Sequence, residues 1–217
     1  MSRLVVMKLS AFEREALKNS LLEKGPEAPT LCGEWKTRDL AVHLLVREQY
    51  PVSFLRSQLP VGGDPAEELT QEALQRPYEE VVEQWAAGPK GLNPWRALDT
   101  MGNAMEHFIH HEDVRRGALT PGEPVEEREI SPEHARELHR LLKLSAPRFI
   151  KADRPVILAP TGMPRIVHND KSGVSADGES VIRVQGGVGE LILWIYGRKV
   201  VNVDITGDTS NLKLSSL

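Results

Sequence analysis

A single cysteine, Cys32, stands in the 217-residue chain, so no internal disulfide is available and a disulfide-stapled extracellular fold is excluded. Long apolar runs are also missing. No stretch is long enough to span a bilayer or to act as a signal core, and a soluble cytoplasmic protein without a membrane partner is expected. Basic clusters are scarce: the net charge is −4, and lysines and arginines are scattered among acids, with Arg115-Arg116 no more than a pair. Nucleic acid is therefore not an expected partner. Internal repeats and low-complexity segments are absent, which excludes a solenoid and a disordered tail. At this length the chain can build one large core or two small ones without covalent staples.

The chemistry concentrates between Thr100 and Gly117, TMGNAMEHFIHHEDVRRG, where three histidines and three acids fall within eight residues. At 100° per residue Met101, Ala104, Met105, Phe108 and Ile109 gather on one side of a helix, which is expected to face the core. Beside them Gly102, Glu106, His110 and Asp113 follow at spacings of four, four and three and form one polar row. A carboxylate and an imidazole four residues apart can share one divalent ion, as the two histidines of a His-Glu-x-x-His helix do. His107 and His111 have the same spacing, and spacing alone does not choose between the pairs. In either case a third ligand must come from elsewhere in the chain.

Taken in order, Ser10 to Glu13 has the form of a capping box opening a first helix, with Phe12, Leu17, Leu21 and Leu22 at helical spacing until Gly25-Pro26. Thr37 is placed to cap a second helix, with Asp39 in its first turn and His43 in its middle, until Pro51 ends or bends it. Gly62 to Pro65 marks a loop, Tyr78 to Ala87 a third helix, Asn93-Pro94-Trp95 a turn, and the Thr100 helix is the fourth. Four helices joined by moderate connections suggest an up-and-down bundle able to hold a metal between helices two and four. The Pro- and Glu-rich passage after Gly117 reads as a linker. Beyond it, Ser131-Pro132 starts another helix, carrying Leu138, Leu141, Leu142 and Leu144, that Pro147 bends or ends. From Pro155 short β-type runs follow at Val156–Leu158, Ile166–His168, Val181–Val184 and Val200–Ile205. The apolar Gly189–Arg198 run is read as a helix from its flanking glycines. The fold class is thus α+β: a helical bundle over residues 1–118, a linker over 119–130 and a small α/β domain over 131–217. Trp35, Trp85, Trp95 and Trp194 are expected in the core, and His134 and His139 on a helix surface.

Three segments together resemble one family. Leu31-Cys-Gly-Glu-Trp-Lys-Thr-Arg-Asp-Leu-Ala-Val-His-Leu44 is similar to the G-W-x-x-x-D-L-x-x-H-L element of the mycothiol-dependent maleylpyruvate isomerase N-terminal domain, a branch of the DinB-like metal-binding bundles. Glu106 to Asp113 is similar to that family's E-x-x-x-H-x-x-D element, and Gly189 to Arg198 to its L-L-W-L-x-G-R signature. The resemblance runs from about Ser10 to Asp204 in the expected order, bundle first. It implies His43, Glu106 and His110 as the metal ligands and mycothiol as a thiol co-substrate.

Two imidazoles and one carboxylate are a set typical of catalytic zinc with one position left open, although Ni²⁺, Fe²⁺ or Co²⁺ suit it too. Asp113 is a candidate to orient His110 or a substrate hydroxyl. Asp39 is a weaker candidate beside His43. By analogy with the family, Arg198 would pair with a carboxylate substrate, or else it satisfies the last carbonyls of its own helix. Cys32 has nothing nearby in sequence to act as its base and is expected to be a buried structural thiol. The expected activity is metal-dependent transfer of a low-molecular-weight thiol to a small electrophile, or thiol-dependent isomerisation of one. The alternative is a metal- or ligand-binding protein of the same superfamily without catalysis.

Overall fold

The computed structural model describes residues 7–57, 65–88, 100–170 and 180–215. Residues 7–118 form one unit and the rest of the chain another. The first unit is helical. Helix α1 (Leu9–Lys24) starts one residue before the expected cap, with Lys8 at the N-cap and no side-chain capping bond. Glu13 is buried and faces His111 at 3.0 Å, so its carboxylate is not available to close a capping box. Leu9, Leu17 and Leu21 carry the core face, while Phe12 is exposed.

Helix α2 (Thr37–Gln49) is capped at Lys36, whose N–H is accepted by the Asp39 carboxylate at 2.9 Å. Thr37, the expected cap, is instead the first helical residue and its hydroxyl donates to the Gly25 carbonyl. Pro51 lies just past the end of α2 at Gln49, as expected. It opens α3 (Pro51–Ser57), and Pro65 opens α4 (Pro65–Leu74), the position where proline's fixed φ and missing N–H cost nothing. Neither helix was expected from the sequence. The Gly62–Asp64 loop, the Asn93–Trp95 turn and the Met101 side chain lie outside the described residues.

Helix α5 (Tyr78–Ala86) places Trp85 fully inside, against a core that includes Leu17, Leu21, Leu40, Leu44 and Val82. α6 (Thr100–Arg115) packs along α1, α5 lies against α1 and α2, and α4 against α2 and α3. The expected two-sided character of α6 does not hold. Ala104, Phe108 and Ile109 are buried as expected, but so are His107, His110, His111, Glu112 and Asp113. Buried polar groups need partners, and each of these has one.

In the second unit Ser131 Oγ accepts the His134 N–H at 3.2 Å at the head of α7 (Pro132–Phe149), which continues through Pro147. Leu138, Leu141 and Leu142 are buried and Leu144 is exposed. His134, expected on the surface, is buried four residues before Leu138 on the same face. His139 donates from Nε2 to the Pro164 carbonyl at 2.8 Å.

Strand β1 (Ile150–Lys151) pairs antiparallel with β6 (Lys213–Leu214). The larger sheet has the order β3-β2-β4-β5, formed by β2 (Val156–Pro160), β3 (Ile166–His168), β4 (Ile182–Gly186) and β5 (Val203–Thr206). Among the described strands only β2 and β4 run parallel, in a register pairing Val156 with Ile182 and Leu158 with Val184, all four buried. The Gly189–Arg198 run forms α8 (Val188–Ile195), a helix buried at every residue. Gly197, at φ 80°, ends it: Arg198 N–H reaches Leu193 O and Gly197 N–H reaches Trp194 O, the paired bonds of a Schellman closure.

Candidate metal centre

Helix α2 supplies His43 and helix α6 supplies Glu106, His110 and Asp113. Oε1 of Glu106 stands 3.5 Å from Nε2 of His43 and 3.5 Å from Nε2 of His110. One donor atom from each of the three residues falls within 4.8 Å of the other two. Two ligand atoms bound tetrahedrally at about 2.0–2.1 Å from one zinc lie roughly 3.3–3.4 Å apart, so these spacings fit donors around a common small cation.

Electrostatics favour the same occupant. Burial alone would raise the Glu106 carboxyl, but hydrogen bonds from His110 and His43 and the Arg47 charge hold it well below the usual carboxylate range. Arg47 Nη2 lies 3.1 Å from Glu106 Oε2, and its Nη1 donates to Asn103 Oδ1 at 3.0 Å. Burial would also lower His110, yet Asp113, Cys32 and Glu106 together push it well above the ordinary histidine value. The acidic surroundings that hold a proton on this imidazole also attract a cation, which must displace that proton to bind Nε2.

The outer nitrogen of His110, Nδ1, donates to Asp113 Oδ2 at 2.9 Å. That bond leaves Nε2 as the nitrogen facing Glu106 and fixes the ring's orientation. Asp113 is fully buried, not an exposed acid near a helix end. Its Oδ2 also accepts from Cys32 Sγ at 3.1 Å, and Sγ lies 3.7 Å from His110 Nδ1. Neither partner of Cys32 is near it in sequence, 78 and 81 positions away. The segment from Pro26 to Lys36 is docked on the end of α6: Leu31 N–H donates to the Asp113 carbonyl at 3.1 Å, and Gly117 lets the Pro29 carbonyl approach its Cα. No periodicity marks such a loop contact. Arg47, four residues past His43 on one helix, was within reach of a spacing argument.

The competing pair faces the other way. Glu48 Oε1 is 2.8 Å from His107 Nε2 and the Ser10 carbonyl is 3.2 Å from Nδ1. Around His111, Glu13 Oε2 is 3.0 Å from Nδ1 and Ser20 Oγ is 3.0 Å from Nε2. All four ring nitrogens are occupied by protein partners, which leaves none to ligate. Glu48 also accepts from Trp85 Nε1 at 2.7 Å and from Arg14 Nη2 at 2.5 Å.

A cavity of about 270 Å³ adjoins His43, walled by Trp35, Val42, Val46, Phe54 and Leu74, with Asp39, Glu67 and Thr70 among its lining. The Trp35 and Phe54 rings pack on His43 at centroid distances of 5.1 and 5.6 Å. Trp35, expected in the core, is therefore a half-exposed wall of this cavity. Trp85 and Trp194 are buried, and Trp95 lies outside the described residues. Asp39 lines the cavity beside His43 while bonding Lys36. Arg198 belongs to the other unit, where its Nη1 donates to the Tyr196 carbonyl at 3.0 Å at the end of α8.

No helix among the described residues is long and apolar enough to cross a membrane. No protein-family model matches the chain, and no curated protein matches its sequence. Among solved structures, the crystal structure of the mycothiol-dependent maleylpyruvate isomerase is similar, with a TM-score of 0.58 over 96% of this chain and 94% of that one, at 13% identity. At that identity the likeness establishes a related mixed α+β fold, shared over nearly the whole of both chains.

Proposed function

We propose that the chain is a metal-dependent enzyme that joins a low-molecular-weight thiol, such as mycothiol, through its sulfur to a small electrophile, or uses that thiol to isomerise one. His43, Glu106 and His110 would hold the ion, zinc being the best match to the donors. When bound, such an ion supplies Lewis acidity, lowering the pKa of a coordinated thiol and favouring the thiolate that attacks. The chain's own residues do the rest. Asp113 holds His110 in the tautomer that turns Nε2 inward, Arg47 steadies the Glu106 carboxylate, and the Trp35 and Phe54 rings fix the His43 plane.

The observation that carries this reading is the shared 3.5 Å spacing from one Glu106 oxygen to two imidazole nitrogens, beside an open cavity. The name of the structural neighbour supplies the thiol class. On this reading α1, α2, α5 and α6 correspond to the four helices of a DinB-like up-and-down bundle with α3 and α4 inserted, spanning residues 1–118. Residues 119–130 are a linker and residues 131–217 the smaller α/β domain.

Elemental analysis of untagged, unchelated protein beside Glu106→Gln, followed by a thiol-consumption assay with mycothiol and reactive electrophiles, tests the proposal. About one metal per chain, lost in the variant, with consumption that fails in His43→Ala, is the expected result. Metal without turnover makes the chain a binding protein, and neither metal nor turnover removes the proposal.

A further inference from the structure

The cavity beside His43 has a chemical character that the proposed reaction does not by itself specify. Its walls are carbon: Trp35, Val42, Val46, Phe54 and Leu74. Its charged lining is all of one sign, Asp39 and Glu67, and no lysine or arginine lines it among the described residues. The cations of helix α2 and its cap are committed elsewhere. Lys36 pairs with Glu27, Arg38 donates to the Leu74 and Arg76 carbonyls and packs over the Tyr78 ring, and Arg47 is tied to Glu106 and Asn103.

Away from the ion that the proposed function would put at His43, a carboxylate in this space would lose water to apolar walls, meet two like charges and find no lysine or arginine among the described lining residues, a cost that burial makes large. An apolar body bearing a neutral or cationic polar end meets none of these penalties. It would bury its carbon surface, lie against the Trp35 and Phe54 rings and leave its polar end near Asp39, Glu67 and the Thr70 hydroxyl. About 150 Å³ is enough to hold a benzene ring, so a cavity near 270 Å³ accepts one ring with substituents.

We infer that this cavity binds the apolar, aromatic-sized body of an uncharged or cationic ligand and discriminates against carboxylates. Its identification as the electrophile's subsite rests on the proposed thiol chemistry at His43, whereas its charge selectivity does not.

Benzamidine, benzamide and benzoate share a shape and differ in charge, which makes them a direct probe. Each is titrated into the protein as purified, with intrinsic tryptophan fluorescence and ligand-detected NMR as readouts, beside Thr70→Phe, which fills the cavity from its lining, and the pair Asp39→Asn with Glu67→Gln. The expected result is saturable binding of benzamidine and benzamide that Thr70→Phe abolishes, with benzoate at least tenfold weaker and partly restored in the Asn/Gln pair. Benzoate binding as tightly as benzamide through the same Thr70→Phe-sensitive site overturns the inference, as does failure of all three probes to bind. Metal content is measured on the same samples. Charge selectivity without metal leaves the inference standing and removes the proposed enzyme function, while metal with a benzoate preference does the reverse.

Discussion

Gly117 offers a test of how the fold builds the site. A Cβ placed there would stand 1.9 Å from the Pro29 carbonyl oxygen and 2.7 Å from the Thr30 Cα, both of them backbone. The first distance falls about 1.5 Å short of ordinary contact, so one of the two chains must move. Gly117 does not have a left-handed φ, so alanine there meets a problem of space alone. In open space the substitution would stabilise by about 0.4–1 kcal/mol through the unfolded chain. Here overpacking costs about 1–3 kcal/mol. Parting the loop from α6 also endangers the Leu31 to Asp113 backbone bond, worth about 1 kcal/mol. The net expectation for Gly117→Ala is a loss of roughly 1.5–3 kcal/mol, read from urea denaturation. The same displacement carries Cys32 away from Asp113, so its labelling by a disulfide reagent should accelerate several-fold. An alanine variant as stable as the parent, or more stable, with Cys32 no more reactive, would refute the claim that this close approach docks the loop.

Two further perturbations separate the two faces of α6. Replacing Asp113 by asparagine keeps the shape but removes the charge that orients His110, and zinc affinity measured by chelator competition should fall about 10–100-fold. A change under twofold would remove Asp113 from the centre. On the opposite face, burial alone would raise the Glu48 carboxyl, but His107, Arg14 and Trp85 hold it below its ordinary value of 4.5. A depressed carboxyl adds stability that is fully present above the unfolded value and is lost as pH falls through the folded one. Glu48→Gln should therefore cost about 3 kcal/mol at neutral pH, with the gap to the parent narrowing below about pH 4.5 in urea melts. A gap that stays constant down to pH 3 would show that the Glu48 charge is not what the network uses.

Much of the fold could be read from local chemistry. Ser131-Pro132 opens α7 as a cap and a first-position proline must, and the glycine of the Tyr196-Gly197-Arg198 sequence closes α8 in a left-handed conformation that glycine adopts without the cost other residues meet. The errors came where a residue's partner lay far along the chain. Glu13 has the right spacing to close a capping box but is bonded to His111, 98 residues away. Pro51 follows the end of α2 as expected, yet it and Pro65 each also begin a further helix. A tryptophan's size predicts a core position for Trp35, while its ring is a partly exposed cavity wall. In each case local propensity described the residue correctly and tertiary context chose its use.

The same division explains α6. Its two His-bearing rows, Glu106 with His110 and His107 with His111, are equivalent by spacing, and no periodicity argument could separate them. What separates them is the set of groups that other helices bring. On one side α1 and the end of α2 contribute Ser10, Glu13, Ser20 and Glu48, so that every imidazole nitrogen is matched and the row becomes a saturated, buried polar layer. On the other side α2 contributes His43 and Arg47, and the loop contributes Cys32. The outer nitrogen of His110 is bonded to Asp113, while its inner nitrogen meets a carboxylate oxygen at 3.5 Å, a long contact whose spacing suits a shared ion. Saturation makes the first row structural and incomplete saturation makes the second chemically competent. Apart from Asp113, the groups that make that difference lie 59 to 98 positions away in sequence.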